Sequence, residues 1–143
     1  MRASGVPCPS SIRCAVIVPG IGSDISPIMP QRKLDFVFIR NAAALAEFSA
    51  GKMTKTSLIQ GEKLFAGLNC LEPGQEHGLH AHAGQEKMYF VIEGSAQVQV
   101  GEETQVLEPG GVAFAACGVP HSVRNPGPGR LIVMVVMGPP PGK

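Results

Sequence analysis

Three histidines and one glutamate are the residues of this chain whose types and spacing could do chemistry. His80 and His82 are two apart, and Glu86 follows four residues later, directly before an apolar run. Alternate side chains of an extended strand point to the same face, so both imidazoles are expected on one side. His121 lies in a second stretch, residues 110–125. Imidazole nitrogens and a carboxylate are ligands for mid-series divalent ions, so these four residues predict a single-metal site.

The two stretches resemble the paired motifs of the cupin superfamily. The first family motif is Gly, five residues, His-x-His, three or four residues, Glu, six residues, Gly; the second is Gly, five residues, Pro-x-Gly, two residues, His, three residues, Asn. The matching residues are Gly74, His80, His82 and Glu86, with Gly94 one residue late, and then Gly110, Gly118, His121 and Asn125. Ala116 stands where the proline is usual. The resemblance implies an antiparallel double-stranded β-helix, a jelly-roll barrel, in which His121 faces His80 and His82.

The oxygen ligand has two possible registers. Counting forward from His82 leads to Glu86, whereas counting back from Gly94 leads to Lys87, which cannot bind a metal ion while it is protonated. A β-bulge would reconcile the two counts, and Gln85 is then the alternative oxygen ligand. If Glu86 points away, three histidines and water remain, which is closer to a zinc-type site.

Strand alternation also predicts the surroundings of this site. If Glu86 faces inward, Met88, Phe90 and Ile92 do so too, and Tyr89 faces the other way. His77 is three residues from His80, so alternation places it on the opposite, solvent-exposed face; the alternative is a position in the pocket, next to the ligands. The expected pocket is apolar with few cations, which argues against sugar nucleotides and polyanions as substrates.

The composition agrees with an all-β fold. The chain has 143 residues with a net charge of +1, and it contains 18 glycines and 13 prolines, typical of short strands joined by tight turns. The charge excludes an electrostatic footprint for nucleic acid, and no apolar run reaches the length of a membrane span. The four cysteines form no CxxC pair and are expected to be reduced thiols of a cytoplasmic protein, Cys117 being a small buried residue.

The pattern of turns divides the chain into an irregular N-terminal arm, residues 1–30, and a barrel domain, residues 31–143. The arm is rich in proline and could pair with a neighbouring subunit. A short helical segment is expected within residues 41–48, which begin with a possible N-cap asparagine. Strands are predicted over residues 34–39, 53–60, 63–71, 77–82, 86–92, 95–100, 104–107, 112–116 and 131–137.

Two classes of function fit these observations. The first is an enzyme that uses one divalent ion per chain (Fe, Mn, Zn or Ni) on a small organic molecule. The resemblance implies a dioxygenase-like reaction, or else an isomerase or decarboxylase. The second is a cupin module that holds a small molecule or a metal without turnover. The strand over residues 131–137 is apolar on both faces, which predicts a homodimer through one sheet.

Overall fold

Between residues 36 and 142 the fold consists of strands and almost no helix. A computed structural model describes residues 36–142. The predicted arm, residues 1–30, lies outside these residues, as do Cys8 and Cys14. The nine strands of the described part are β1 (Thr54–Gln60), β2 (Phe65–Leu71), β3 (Glu76–His80), β4 (Glu86–Glu93), β5 (Ala96–Val100), β6 (Glu103–Leu107), β7 (Val112–Ala115), β8 (His121–Arg124) and β9 (Leu131–Gly138).

These strands form two antiparallel sheets. The five-stranded sheet has the order β1-β2-β9-β4-β7, and the four-stranded sheet has the order β3-β8-β5-β6. Strands distant in sequence are neighbours in both sheets, for example β2 with β9 and β3 with β8. The predicted all-β, double-stranded β-helix fold is therefore confirmed.

The main core contains side chains from both sheets. Tyr89 of β4, Val98 of β5, Val123 of β8 and Val133 of β9 belong to one cluster, and none of them is more than 3% exposed. Removing this apolar surface from water is the main driving force for bringing the sheets together. Tyr89 thus faces the interior, opposite to the orientation that follows if Glu86 faces inward.

A second apolar cluster explains why β9 is buried on both faces. It contains Ile132 of β9 with Leu58 and Cys70, and Ile39 and Phe48 are among the partly buried residues packed against it. The chain that precedes β1 thus supplies apolar cover for residues of the five-stranded sheet.

The elements around residues 36–48 differ in part from the prediction. The expected helical segment is one 3₁₀ turn, Ala42–Leu45, and the Asn41 side chain caps it by accepting a hydrogen bond from the Ala43 amide (3.1 Å). Of the strand predicted over residues 34–39, residues 36–39 are described and are not in a strand. β8 was not predicted as a strand, because Val123 is the one apolar residue among its four.

Candidate metal centre

The pairing of β3 with β8 brings the two histidine-bearing stretches together. His80 and His121 are directly opposite partners across these antiparallel strands. His82 follows β3 in the loop that leads to β4. Its carbonyl oxygen accepts a hydrogen bond from the Gly118 amide (2.8 Å), so the loops before β4 and before β8 are joined directly. Gly118 has a φ of 78°, a conformation that favours glycine.

The three imidazoles converge on one point. One ring nitrogen from each of His80, His82 and His121 lies within 4.8 Å of the others. The ring centroids are 4.4 Å apart for His80 and His121, 5.0 Å for His80 and His82, and 5.4 Å for His82 and His121. These three residues are called the histidine triad below. The predicted grouping of the three histidines is therefore present in the structure.

The tautomers of two triad members suit a metal ion. Nδ1 of His80 is 2.6 Å from the Gly78 carbonyl oxygen, and Nδ1 of His121 is 2.9 Å from the Val119 carbonyl oxygen. A carbonyl oxygen only accepts, so both Nδ1 atoms carry the proton and each Nε2 offers a lone pair. The Nε2 atom of His121 is buried without a partner among the described residues. A buried unpaired acceptor is costly, and coordination of a cation by the triad would satisfy it.

Glu86 does not join the triad. It is the first residue of β4, its side chain is exposed, and it pairs with Gly138 at the edge of the ladder. Lys87 is 3% exposed, and its Nζ lies 3.4 Å from Nε2 of His80. A spacing of four residues after His82 leads to Lys87 and also satisfies the count back from Gly94. The acidic position of the family motif is thus occupied by a lysine.

The expected bulge exists but lies elsewhere. The register of β4 against β9 shifts between Val91 and Glu93, after the position in question, so it leaves Glu86 on the outside. The alternative ligand, Gln85, is also absent from the triad: its side-chain amide donates to the Pro139 carbonyl oxygen (2.9 Å). Among residues 36–142, neither candidate oxygen ligand is part of the histidine group.

His77 lies on the same side as the triad, contrary to the expectation from strand alternation. The pairing of β3 with β8 shifts between His77 and His80, so three residues on β3 span two on β8. This irregularity restores His77 to the face of His80, and their ring centroids are 4.1 Å apart. The Lys55 ammonium lies 3.4 Å from Nε2 of His77, and Nδ1 of His77 is buried without a partner in the described part of the chain.

The charged side chains that line the site among the described residues are two lysines, Lys55 and Lys87. Burial lowers the pKa of His77 to about 3, with the charge of Lys55 acting in the same direction. Burial likewise lowers the pKa of each triad histidine, and the charge of Lys87 adds to the effect. Burial also lowers the pKa of Lys87 to about 8, so this lysine is mostly cationic at neutral pH. Neutral imidazoles beside a lysine are the resulting state.

A cavity of about 290 Å³ opens beside the triad. His77, His80, His82, Lys55 and Lys87 line it, and no Asp or Glu of the described residues does. Apolar side chains complete the wall, including Phe65, Val135 and Met137. This differs from the expected apolar pocket with few cations, because the sequence analysis placed neither lysine at the site.

Two other residues singled out by the sequence have separate roles. Asn125 is 1% exposed, and its side chain stabilises the turn before β9. The amide nitrogen donates to the carbonyls of Leu71 and Gly129, and the amide oxygen accepts from the Gly127 amide. Cys117 is a free, exposed thiol rather than the expected small buried residue, and it does not line the cavity.

The fold and the triad together define a small β-barrel protein with a candidate metal centre between its two sheets. The cupin domain family matches residues 67–137, which contain every residue of the triad. The chain belongs to the cupin superfamily. No helix in the described part of the chain has the length and apolar character needed to cross a membrane.

Three relatives illustrate this membership. A crystal structure of a protein from Thermus thermophilus is 40% identical, with a TM-score of 0.70, and the match covers 72% of this chain and 98% of that one. An uncharacterized protein of Streptomyces coelicolor is 32% identical over 66% of this chain and 89% of its own length. A protein of Thermotoga maritima named "Oxalate-binding protein" is 28% identical over 59% of this chain and 69% of its own length.

Proposed function

We propose that this chain is a metal-dependent enzyme that acts on a small organic molecule, with a dioxygenase-like reaction as the specific assignment. The observation that carries the proposal is the convergence of three imidazole nitrogens within 4.8 Å beside a cavity. The triad would hold one divalent ion of the Fe, Mn, Zn or Ni type. Such an ion supplies a Lewis acid and, if it is iron, electrons for reaction with dioxygen.

The residues of the chain would perform three tasks around that ion. The triad binds it with neutral nitrogens, since burial keeps the imidazoles unprotonated. The carbonyls of Gly78 and Val119 hold two of the rings by their Nδ1 protons. The wall that includes Phe65 and Met137 gives the substrate an apolar surface and limits the access of water.

A second candidate is a binding module without turnover. The name of the Thermotoga maritima relative favours it, because that protein is described as binding oxalate, a small chelating dianion. The same triad and cavity would then retain a ligand on the ion. No carboxylate of the described chain reaches the triad, so the ion would keep a full +2 charge, which favours tight retention of an anion.

The experiment begins with the metal content of protein purified without a histidine tag. The proposal expects close to one divalent ion per chain, and oxygen uptake when the iron-loaded protein meets small chelating substrates such as diketones and catechols. One ion with no oxygen uptake, and with retained oxalate, favours the binding module. Full metal content in a His80→Ala, His82→Ala double variant would contradict both candidates.

A further inference from the structure

We infer that the cavity beside the triad is a binding site for a small organic acid, whose carboxylate is held by Lys87 and Asn69. The inference rests on the proposed function, since it names the chemical class of the ligand for the same site. It follows from three observations on the described residues: a buried lysine without an anionic partner, further unpaired donors in the same cavity, and an apolar remainder of the wall.

Lys87 is the first of these observations. Only 3% of it is exposed, yet no carboxylate of the described residues forms an ion pair with it. Its contacts are Nε2 of His80 at 3.4 Å and the face of the Tyr89 ring, whose centroid is 4.9 Å from Nζ. A buried ammonium is costly unless it is paired with an anion. Among residues 36–142 no Asp or Glu lines the cavity, so we assign that anion to a bound ligand.

Metal binding would increase the need of the Lys87 ammonium for an anionic partner. The lone pair on Nε2 of His80 is the only hydrogen-bond acceptor recorded for the Lys87 ammonium among the described residues. The same lone pair is the one that His80 would offer to a metal ion, because Nδ1 carries the proton. One lone pair cannot serve both partners. An ion on the triad therefore leaves Lys87 without an acceptor and places a second positive charge nearby. A bound carboxylate would supply the acceptor and offset the positive charge.

Further hydrogen-bond donors in the cavity also lack an acceptor. The Asn69 side-chain Nδ2 is buried, lines the cavity and has no partner in the described part of the chain. Nδ1 of His77 is likewise buried without a partner among the described residues, because the Lys55 ammonium contacts only Nε2 of that ring. An amide nitrogen and an ammonium can only donate, so they select a ligand rich in acceptors. Together they favour a carboxylate over a neutral or cationic group.

The apolar part of the wall indicates what the acid carries behind its carboxylate. Phe65, Val135 and Met137 line the same cavity of about 290 Å³. That volume is at the small end of the range for ligand sites, so a short aliphatic body fits better than a sugar nucleotide. A suitable probe is 4-methyl-2-oxopentanoate, with its methyl ester as a neutral partner of nearly the same shape.

The first test uses the zinc-loaded wild-type protein, because zinc binds substrates without redox turnover. Isothermal titration compares the acid with its methyl ester. We expect the acid to bind about 10- to 100-fold more tightly, the range that a hydrogen bond to a charged group supplies. Equal affinity for the two probes would overturn the inference, and this comparison needs no substitution that could disturb folding.

The second test assigns the preference to Lys87. Lys87→Met retains the length and apolar stem but removes the charge, so acid binding should weaken by about 10- to 100-fold while ester binding and zinc content stay unchanged; any preference for the acid that remains is the share of the zinc ion. Lys52→Met removes an exposed lysine outside the cavity and should leave both values as they are. Loss of zinc from Lys87→Met would overturn the inference, since it would identify the amine as a metal ligand.

Lys87→Glu provides the opposite change at the same position. It supplies the carboxylate that the family motif has there, so we expect metal to be retained at least as well and the acid to bind no better than its ester. Asn69→Ala should give a smaller loss of acid affinity, because it removes a neutral donor. An acid preference as large as that of the wild-type protein in all three variants would overturn the inference.

These measurements separate the inference from the proposed function. Absence of bound metal in the wild-type protein contradicts the proposed function. The acid and ester are then compared on the metal-free protein, where Lys87 and Asn69 are still in place. A preference for the acid there upholds the carboxylate site, and no preference refutes it independently of the metal result.

Discussion

Side chains alternate strictly between the two faces of the sheet along β4, whereas a register shift interrupts this alternation on β3. The set of residues at the site depends on both strands. On β3 the register shift between His77 and His80 places two histidines three residues apart on one face. On β4 strict alternation holds from Lys87 to Val91, so the lysine faces inward and Glu86 faces outward. Period-two alternation therefore fails on β3, whereas it holds on β4 with the inward positions one residue later than counting forward from His82 indicates. Side-chain chemistry at a site is decided by local register as much as by residue type.

The largest expected effect tests the β3 and β8 side of this comparison. His121→Ala removes an imidazole whose Nε2 is buried and has no partner within residues 36–142. We expect metal affinity to fall by more than about 100-fold, because even loss of an outer-shell partner costs roughly 10- to 100-fold. Competition against a chromophoric chelator measures this affinity.

His77→Ala is the matched control for that change. His77 shares the face of His80 but is not one of the three residues whose ring nitrogens converge, so its loss should reduce metal affinity by less than about tenfold. Equal losses in the two variants would show that the bulge on β3 adds a fourth nitrogen ligand, and the triad would then be the wrong grouping.

The second effect is a dependence of stability on pH in the metal-free protein. His77 has a pKa of about 3 when folded, below its ordinary value near ~6.5. Above pH ~6.5 the ring is neutral in both states and costs nothing. As the pH falls from ~6.5 toward 3, the unfolded chain gains the proton first, so the free energy of unfolding should fall by up to about 1.4 kcal/mol per pH unit. Urea unfolding between pH 7 and 5 measures it.

His77→Asn sharpens the same experiment. Asparagine retains a hydrogen-bonding group at the bulge but does not titrate, so this variant should lose less stability over the same pH interval. The triad histidines contribute a remaining slope, because burial lowers the pKa of each of them as well. Identical slopes in the two proteins would contradict the burial of His77 on the inner face.

The third effect concerns the outer face of β4. Met88 lies opposite Phe114 of β7, and Phe90 lies opposite Val112. Phe114 and Val112 are each 55% exposed, so this apolar area remains uncovered within the described chain. We propose it as the contact of the predicted homodimer. Phe114→Glu should shift light scattering of a dimer toward a monomer, whereas Leu79→Glu, at an exposed position on β3, should not. A monomeric wild-type protein at micromolar concentration would refute the dimer.

The smallest expected effect is at the residue that the sequence favoured as the oxygen ligand. Glu86→Gln should change metal affinity by less than about twofold, since the side chain is exposed and outside the triad. Gln85→Ala, which removes the bond to the Pro139 carbonyl, is expected to be equally neutral for the metal. Loss of metal in either variant would restore the corresponding register and would contradict the inward position of Lys87.

Residue types and their spacing determined the fold family and the grouping of the three histidines. The His-x-His pair, the second histidine and the glycines at turns are local features, and they persist whatever the exact pairing of the strands. Gly94 illustrates this: it has a φ of 82°, and a Cβ there would lie 2.3 Å from the Arg130 carbonyl oxygen, so the turn requires glycine. Patterns of this kind can be found in the sequence alone.

Only the tertiary structure decided which neighbours complete the site. A shift of one residue moves a side chain to the opposite face of a sheet, and the sequence does not show where a bulge absorbs that shift. The inward position of Lys87, the return of His77 to the inner face and the approach of Lys55 from β1 all depend on pairing between distant strands. The triad was therefore predictable, whereas the positive charge around it was not.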